Sequence, residues 1–282
     1  MKTSFIFLFL IYTHVLPAQR YDTFTATLTK LYSPAAAEVD STWDNLIQSQ
    51  RIPFVVEDSV AFLYRGAATS VMWMGDFNGW GYDKKFQNKG TRIPGTDIWI
   101  LKKSFPADAR LDYRIILNDT DIIVDPVNPY QQWSGVGGGS INSELRMGRW
   151  KEDPIGQPLE AIFHGRVLKD LLIKSEHLGY QCMYSIYLPP DFRPSGKVYP
   201  ILYVTDGYEY MHEKMGNMIT ILDNLIHLNK IRPVIVVFMD HREPVNRSNN
   251  RRMQELAMND RYLTFLTEEL IPRVEKNYPV ST

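Results

Sequence analysis

One cysteine, Cys182, stands in 282 residues. A lone thiol makes no intramolecular disulfide, no paired-thiol redox centre and no thiolate zinc site, so the fold must rest on packing. An excess of one charge is missing as well, since 31 basic side chains face 32 acidic ones for a formal net charge of -1. That balance lacks the basic footprint of a nucleic-acid binder. No apolar run approaches the roughly 20 residues that cross a bilayer, so no stable membrane anchor is expected. Aromatic residues, in contrast, are plentiful: 6 Trp, 16 Tyr and 13 Phe are enough to fill cores and leave rings for flat ligands or sugars. With 44% hydrophobic and 22% charged residues, the length suits about two domains with cores of their own.

The chain opens with Lys2, an apolar stretch FIFLFLIYTHV from Phe5 to Val15, and Leu16-Pro17-Ala18 before Gln19. This is the layout of a signal peptide over residues 1–18, which predicts a secreted or periplasmic protein. The stretch is short for an anchor and is interrupted by His14. In an oxidising compartment a free thiol is tolerated when buried, and Cys182 lies in the strand-like run CMYSIYL, which suits a core position.

Two blocks of different periodicity follow. Residues 19–50 form a lead with a short helix at Ser41–Gln50, where Ser41 and Asp44 have capping-box spacing. Residues 51–149 read as all-β: SVAFLYRG, TSVMWMGDF, DIWILKKSF, RLDYRIILN and DIIVDP are rich in Val, Ile, Tyr, Phe and Trp and are separated by Gly, Asn, Asp or Pro turns. Tyr130–Ser140 is Gly-rich and predicts a mobile loop, and residues 150–163, with EDPIGQP, predict a linker. From His164 the pattern becomes α/β. QCMYSIYLPP, VYPILYVTDG and PVIVVFMDH read as strands, the last two without a polar face, which predicts two-sided burial in a mostly parallel sheet. Met218, Ile221, Leu222 and Leu225 mark one face of a connecting helix within Met215–Leu228, and Tyr262, Phe265, Leu266, Leu270 and Val274 mark another over Asp260–Asn277 with an irregularity at Pro272. The 164–282 block reads as an incomplete α/β domain, because the next buried strand is due where the chain stops.

Several segments resemble known families. VMWMGDFNGW, Val71–Trp80, is similar to the early strand of the immunoglobulin-like modules that precede catalytic domains in glycogen-branching enzymes and enterochelin-esterase-like proteins. YSIYLPPDF, YPILYVTDGYEY, the Arg252, Glu255 and Leu256 positions of RRMQEL, and FLTEELIPRVEKNYPV resemble the esterase family that includes enterochelin and feruloyl esterases. The resemblance implies two domains, an N-terminal immunoglobulin-like sandwich and the first half of an α/β-hydrolase. It also implies a cofactor-free serine hydrolase that takes a small-molecule or polysaccharide acyl ester, either a siderophore ester or a plant-polysaccharide ester.

That family places its serine on a Gly-x-Ser-x-Gly elbow, followed by the acid and the histidine. No such motif occurs here: Ser140 follows Gly139, but Asn142 stands where the second glycine belongs. The triad is therefore expected beyond Thr282, none of the six histidines is assigned as base, and the 282 residues alone are expected to be inactive. The resemblance assigns an oxyanion-hole amide to Tyr208, after Asp206-Gly207, with Gly207 letting the backbone turn; the alternative is an ordinary strand-ending turn. As substrate-binding residues, Arg252 is expected to hold a substrate acid or phenolate with Glu255 paired to it; the alternative is a structural ion pair between the two that braces the loop. Asp240, His241 and Glu243 lie close in sequence, but nothing at helical spacing completes a shell, and no metal is expected. A second reading is a non-enzymatic polysaccharide-binding protein, which requires Trp73, Trp80, Trp99 and Trp133 to line one exposed face.

Overall fold

The structure, a computed structural model, describes residues 17–32, 35–83, 85, 88–134 and 140–281. The apolar leader stretch lies outside the described residues. Two compact units are formed: the first runs to Gln131 and resumes over Asn142–Lys151, and the second comprises Gln132–Ile141 with Glu152–Thr282.

In the first unit, helices α1 (Pro17–Tyr32) and α2 (Val39–Ser49) precede eight strands: β1 (Phe54–Val56), β2 (Ser59–Arg65), β3 (Val71–Gly75), β4 (Thr91–Arg92), β5 (Ile98–Ser104), β6 (Arg110–Leu117), β7 (Asp121–Ile123) and, from Asn142 on, β9 (Ser140–Arg146); β8 (Gln131–Ser134) belongs to the second unit from Gln132 on. The eight make two sheets, ordered β1-β2-β5-β4 and β3-β6-β9, with β7 added on β6. Side chains along a strand alternate between faces. Val60 and Phe62 of β2 therefore enter the core shared by the two sheets, with Trp73, Trp99, Tyr113 and Ile115, while Ala61 and Leu63 enter a second core under α1 and α2. A helical layer on the outer face of the first sheet explains why SVAFLYR shows no polar alternation. Val39, Trp43 and Leu46 are the buried face of α2. This helix begins at Val39, two residues before the expected start, and Ser41 does not cap it: its hydroxyl donates back to the Glu38 carbonyl at 3.1 Å.

The Gly-rich Tyr130–Ser140 stretch is a strand at both ends, in β8 and β9, and its residues 135–139 lie outside the described residues. Nor do residues 150–163 behave as a linker. Asn224 donates to the carbonyls of Ile155 and Gln157 at 2.7 Å each, Asn217 donates to that of Gly156 at 2.7 Å, and Asp223 accepts from the Gly165 amide at 2.9 Å and pairs with His164 at 2.9 Å. Proline and glycine break regular structure, but side-chain amides here satisfy the backbone that they leave unpaired.

The second unit is built on β10 (Arg166–Lys174), β11 (Gln181–Leu188), β12 (Ile201–Val204) and β13 (Ile235–Asp240), in the order β10-β11-β13-β12. Only β12 and β13 run parallel; β10 with β11 and β11 with β13 are antiparallel, which corrects the mostly parallel expectation. Apolar runs report how many faces of a strand are covered and carry no information on its direction. β10 and β11 are joined by a tight connection closed by the Ser175 amide on the Tyr180 carbonyl at 3.0 Å, so they pair antiparallel. Helix α3 (Gly207–Met211) follows β12, and α4 (Met218–His227) completes the crossover to the parallel β13, a βαβ unit. α4 covers Tyr187, Val236 and Phe238 on one face of the sheet. Helices α5 (Arg252–Leu256), α6 (Asp260–Thr264) and α7 (Ile271–Asn277) come after β13. A π-helical turn, Phe265–Leu270, joins α6 to α7 and leaves Pro272 in the first turn of α7, where its missing N–H costs least. Tyr262, Phe265, Leu270 and Val274 are buried against the other face, with Cys182, Tyr184, Ile186, Val237 and Met239. β13 is buried on both faces as its sequence suggests, but β12 is an edge strand, with Leu202 44% exposed.

Candidate functional site

In α/β sheets, ligands bind beyond the carboxyl ends of parallel strands. Here β12 ends at Val204 and β13 at Asp240, and the chain after β12 turns sharply through Asp206 into α3. Asp206, at φ 53°, takes the left-handed conformation that an aspartate tolerates. Gly207 does not supply the turn. It is glycine for a different reason: a Cβ there would lie 2.6 Å from the Phe238 carbonyl carbon and 2.7 Å from the Met239 nitrogen. The start of α3 thus presses directly on β13. Tyr208 is the second residue of α3, so its N–H is one of the helix-start donors with no intrahelical carbonyl to bond.

A hydrogen-bonded chain braces this turn from behind. The Asp206 N–H donates to His241 Nε2 at 3.2 Å. With Nε2 accepting, the ring proton sits on Nδ1 and is donated to Glu255 Oε2 at 2.6 Å. Tyr180 donates its hydroxyl to the other Glu255 oxygen at 3.0 Å; burial, followed by the Glu255 charge, pushes its pKa well above the tyrosine range. Glu255 is 5% exposed and is bound to His241 and Tyr180, so the expected Arg252–Glu255 ion pair does not form. Arg252 reaches instead to Asp206, 46 residues away, with Nε on Oδ1 at 2.7 Å and Nη2 on Oδ2 at 3.0 Å. This bidentate pair fixes the carboxylate whose backbone opens α3. Helical spacing suggested the i, i+3 partner; turning Glu255 into the core and Arg252 outward separates them.

The two faces of α3 line two hollows of the second unit. Glu209 and Tyr210 line one of about 280 Å³ with Gln132, Trp133, Asp206 and Arg252. Tyr208, Met211 and His212 line another of about 440 Å³ with Ser185, Asp240 and Arg242. Trp133 stacks on His212, their centroids 6.2 Å apart at 22°, and Lys214 Nζ lies 5.4 Å from the Trp133 centroid. The Tyr208 ring is held by Arg242, whose guanidinium carbon lies 3.4 Å from the ring centroid and whose Nε and Nη2 bind Asp240 at 2.9 and 2.6 Å. Burial, reinforced by the charges of Asp206 and Asp240, raises the Glu209 carboxyl above its ordinary range, against the opposing pull of Arg242. A half-buried carboxyl of this kind beside a cleft is a site candidate that sequence reading missed. No spacing signal could have found it, since Glu209 gains its surroundings from β13 and the segment around Asp206.

The remaining candidate residues are placed elsewhere or bound otherwise. Ser140 opens strand β9 and is not part of either hollow. Asp240 binds Arg242, His241 binds Glu255, and Glu243 binds Arg251 at 3.2 Å and Asn249 at 2.8 Å, so these three side chains do not converge. Burial pushes the Cys182 thiol up to about 12, as expected of a core position. The four tryptophans share no exposed face. Trp73 and Trp99 are buried and their indole N–H groups have no partner among the described residues, while the Trp80 indole donates to Asp76 at 2.9 Å and Trp133 belongs to the α3 cleft. Such burial removes the stacking platform on which the polysaccharide-binding reading depends.

Residues 175–282 match the family model described as "Putative esterase". The match covers the sheet from β11 onward and every residue of the Glu255–His241–Asp206–Arg252 chain. Among solved structures, the enterobactin esterase from Shigella flexneri is 21% identical with a TM-score of 0.56, covering 79% of this chain and 61% of its own. The ferric enterobactin esterase from Salmonella typhimurium is 22% identical with a TM-score of 0.59, covering 79% of this chain and 62% of its own. The chain therefore spans less than two thirds of the length of these structures, and the likeness is one of fold. No curated protein matches the chain in sequence. Among the described residues, no helix is long and apolar enough to cross a membrane.

Proposed function

We propose that the second unit belongs to a carboxylic-ester hydrolase and supplies the oxyanion and substrate side of its site. The observation that carries this reading is the Asp206–Gly207–Tyr208 turn at the end of β12, within a segment matching an esterase family model. The Tyr208 N–H is a preorganised donor for the charge that develops on a carbonyl oxygen during acyl transfer. Preorganisation has a visible source: Gly207 seats α3 on β13, and Glu255 holds the His241 ring that receives the Asp206 amide. Arg252 is 41% exposed on its side chain and keeps Nη1 for a substrate group while its other donors hold Asp206. The 282 residues contain no Gly-x-Ser-x-Gly, so they do not supply a nucleophile of the family pattern.

The substrate is proposed to be a small-molecule or polysaccharide acyl ester. The two-sheet first unit is proposed to be an immunoglobulin-like accessory module, and residues 1–18 a signal peptide. N-terminal sequencing of the protein from its host, with Gln19 first, would support export. Hydrolysis of nitrophenyl acetate and butyrate, measured on the protein purified from its natural host, tests the activity. Tyr208→Pro removes one N–H and is expected to lower kcat by roughly a hundredfold to a thousandfold. Hydrolysis that is absent, or untouched by that substitution, overturns the reading. The 282-residue chain by itself is expected to show no hydrolysis sensitive to a serine-directed fluorophosphonate.

A further inference from the structure

Another hollow lies away from the α3 site. It is a cavity of about 500 Å³ within the first unit, between the end of α2, the segment Arg51–Val55 and the carboxyl end of β9. Two arginines face it. Arg51 is exposed, donates through Nη1 to the Tyr130 hydroxyl and lies 5.4 Å from that ring's centroid; among the described residues no carboxylate pairs with it. The guanidinium carbon of Arg146 lies 4.2 Å from the Tyr130 centroid and 4.6 Å from that of Trp150. Its Nε is bound to Glu144, and its two terminal nitrogens have no hydrogen-bond partner among the described residues. Glu144 is buried, and Arg110 binds its other oxygen at 2.6 Å.

The charges do not cancel. Glu144 is shared by two arginines, of which Arg110 also pairs with Asp112 at 3.3 Å, and Arg51 adds a positive group with only a neutral partner, so three arginines face two carboxylates. Arginines kept only for structure would turn their donors onto available carboxylates; here the unused N–H groups stand on a cavity wall. Stacking on Tyr130 and Trp150 holds the Arg146 fork rigid, so little side-chain freedom is lost when it receives a ligand. A planar fork of N–H donors matches the paired oxygens of a carboxylate or phosphate. Ser49, Gln50 and the shared Glu144 also line the wall, Ile52, Pro53, Phe54 and Met147 give it an apolar part, and the volume falls within the range of small-molecule sites, roughly 300–1,000 Å³.

We propose that this cavity binds a small organic oxyanion, a carboxylate or phosphate carried on an apolar or aromatic body, with Arg51 and Arg146 as its donors. The site is independent of the ester-hydrolase reading, since all its residues lie in the first unit. Calorimetric titration of the 282-residue chain with benzoate, phenyl phosphate, inorganic phosphate and uncharged benzamide tests it. The expected result is saturable binding of benzoate or phenyl phosphate with Kd below about 1 mM at low salt. Arg51→Gln, and Arg146→Lys, which keeps the charge beside Glu144 but loses the fork, are each expected to weaken it about tenfold or more, with unchanged circular dichroism. The tighter of the two organic probes identifies the head group. Absence of saturable binding, benzamide binding as well as benzoate, inorganic phosphate binding as well as both organic probes, or full-strength binding in Arg51→Gln overturns the proposal.

Discussion

Each unit buries a carboxylate in a hydrogen-bonded network, and the two networks end differently. In the first unit Asp125 is 2% exposed and accepts from the Tyr113 hydroxyl at 2.7 Å and the Val127 amide at 3.1 Å; Asn128 donates to the same Tyr113 hydroxyl at 2.9 Å and to the Glu144 carbonyl at 3.0 Å. Every one of these partners is neutral or backbone, and through Asn128, which also accepts from the Tyr130 amide at 2.8 Å, the network meets the wall of the first unit's cavity only by backbone groups. In the second unit the network runs from buried Glu255 through His241 to the Asp206 backbone, and there the Arg252 fork meets a cleft. Burial of polar groups alone therefore does not mark a site. A network whose last member is a charged fork on a concave surface gives that surface a rigid donor, whereas one that ends in backbone groups only fixes the strands that carry them.

Perturbing the two networks should separate these roles. The largest effect is expected from Glu255→Ala, which leaves the buried His241 Nδ1–H and the half-buried Tyr180 hydroxyl without an acceptor. At about 1–3 kcal/mol for each orphaned group, a loss of about 3 kcal/mol should appear in urea unfolding. A loss below about 1 kcal/mol would show that the brace behind Asp206 is not formed.

The first unit's network should announce itself through pH. Burial raises Asp125 from 3.8 to about 6, against the hydrogen bonds from Tyr113 and the backbone. Between those values the folded protein keeps a proton that the unfolded chain has released, so stability present below about pH 4 is lost as the pH rises through 6. The decline attributable to this group is on the order of 2–3 kcal/mol, and Asp125→Asn should flatten it in unfolding curves recorded from pH 4 to pH 7. An unchanged slope in that variant would place the titration elsewhere.

Gly207→Ala drives a methyl group into the β13 backbone and is expected to cost about 2 kcal/mol as α3 lifts. Hydrogen exchange should then quicken in α3 before it does in β13; uniform acceleration across the unit would break the assignment of Gly207 to that one contact. The smallest effect belongs to Arg252→Ala, because its side chain is 41% exposed and an exposed pair contributes less than about 1 kcal/mol. A thermal midpoint that falls as far as in Glu255→Ala would erase the distinction between the inner and outer ends of this network.

Much of the architecture was legible from local pattern. The apolar run of β13 announced burial on both faces, the spacing of Tyr262, Phe265, Leu270 and Val274 announced one buried helical face, and Cys182 sat in a run that could only be core. The candidate site was legible in one part: the Asp206–Gly207–Tyr208 turn follows a strand and carries the segment's family likeness. Its supporting residues were not. Glu255 was read beside Arg252 because they are three apart, yet its partners are 14 and 75 residues away. Residues 150–163 read as a linker because nothing in EDPIGQP foretells that Asn217 and Asn224 will bind its carbonyls.

By itself, then, the sequence determined the long apolar strands and the buried faces of the helices after β12, while α1, β9 and β10 left no such signal, since periodicity reports only side chains within a few residues of one another. Strand direction, the edge position of β12, the partner of each buried charge and the reason for Gly207 were decided by tertiary structure. Those depend on which backbone lies a few ångströms away, and the chain path that brings it there crosses tens of residues without leaving a periodic trace in any of them.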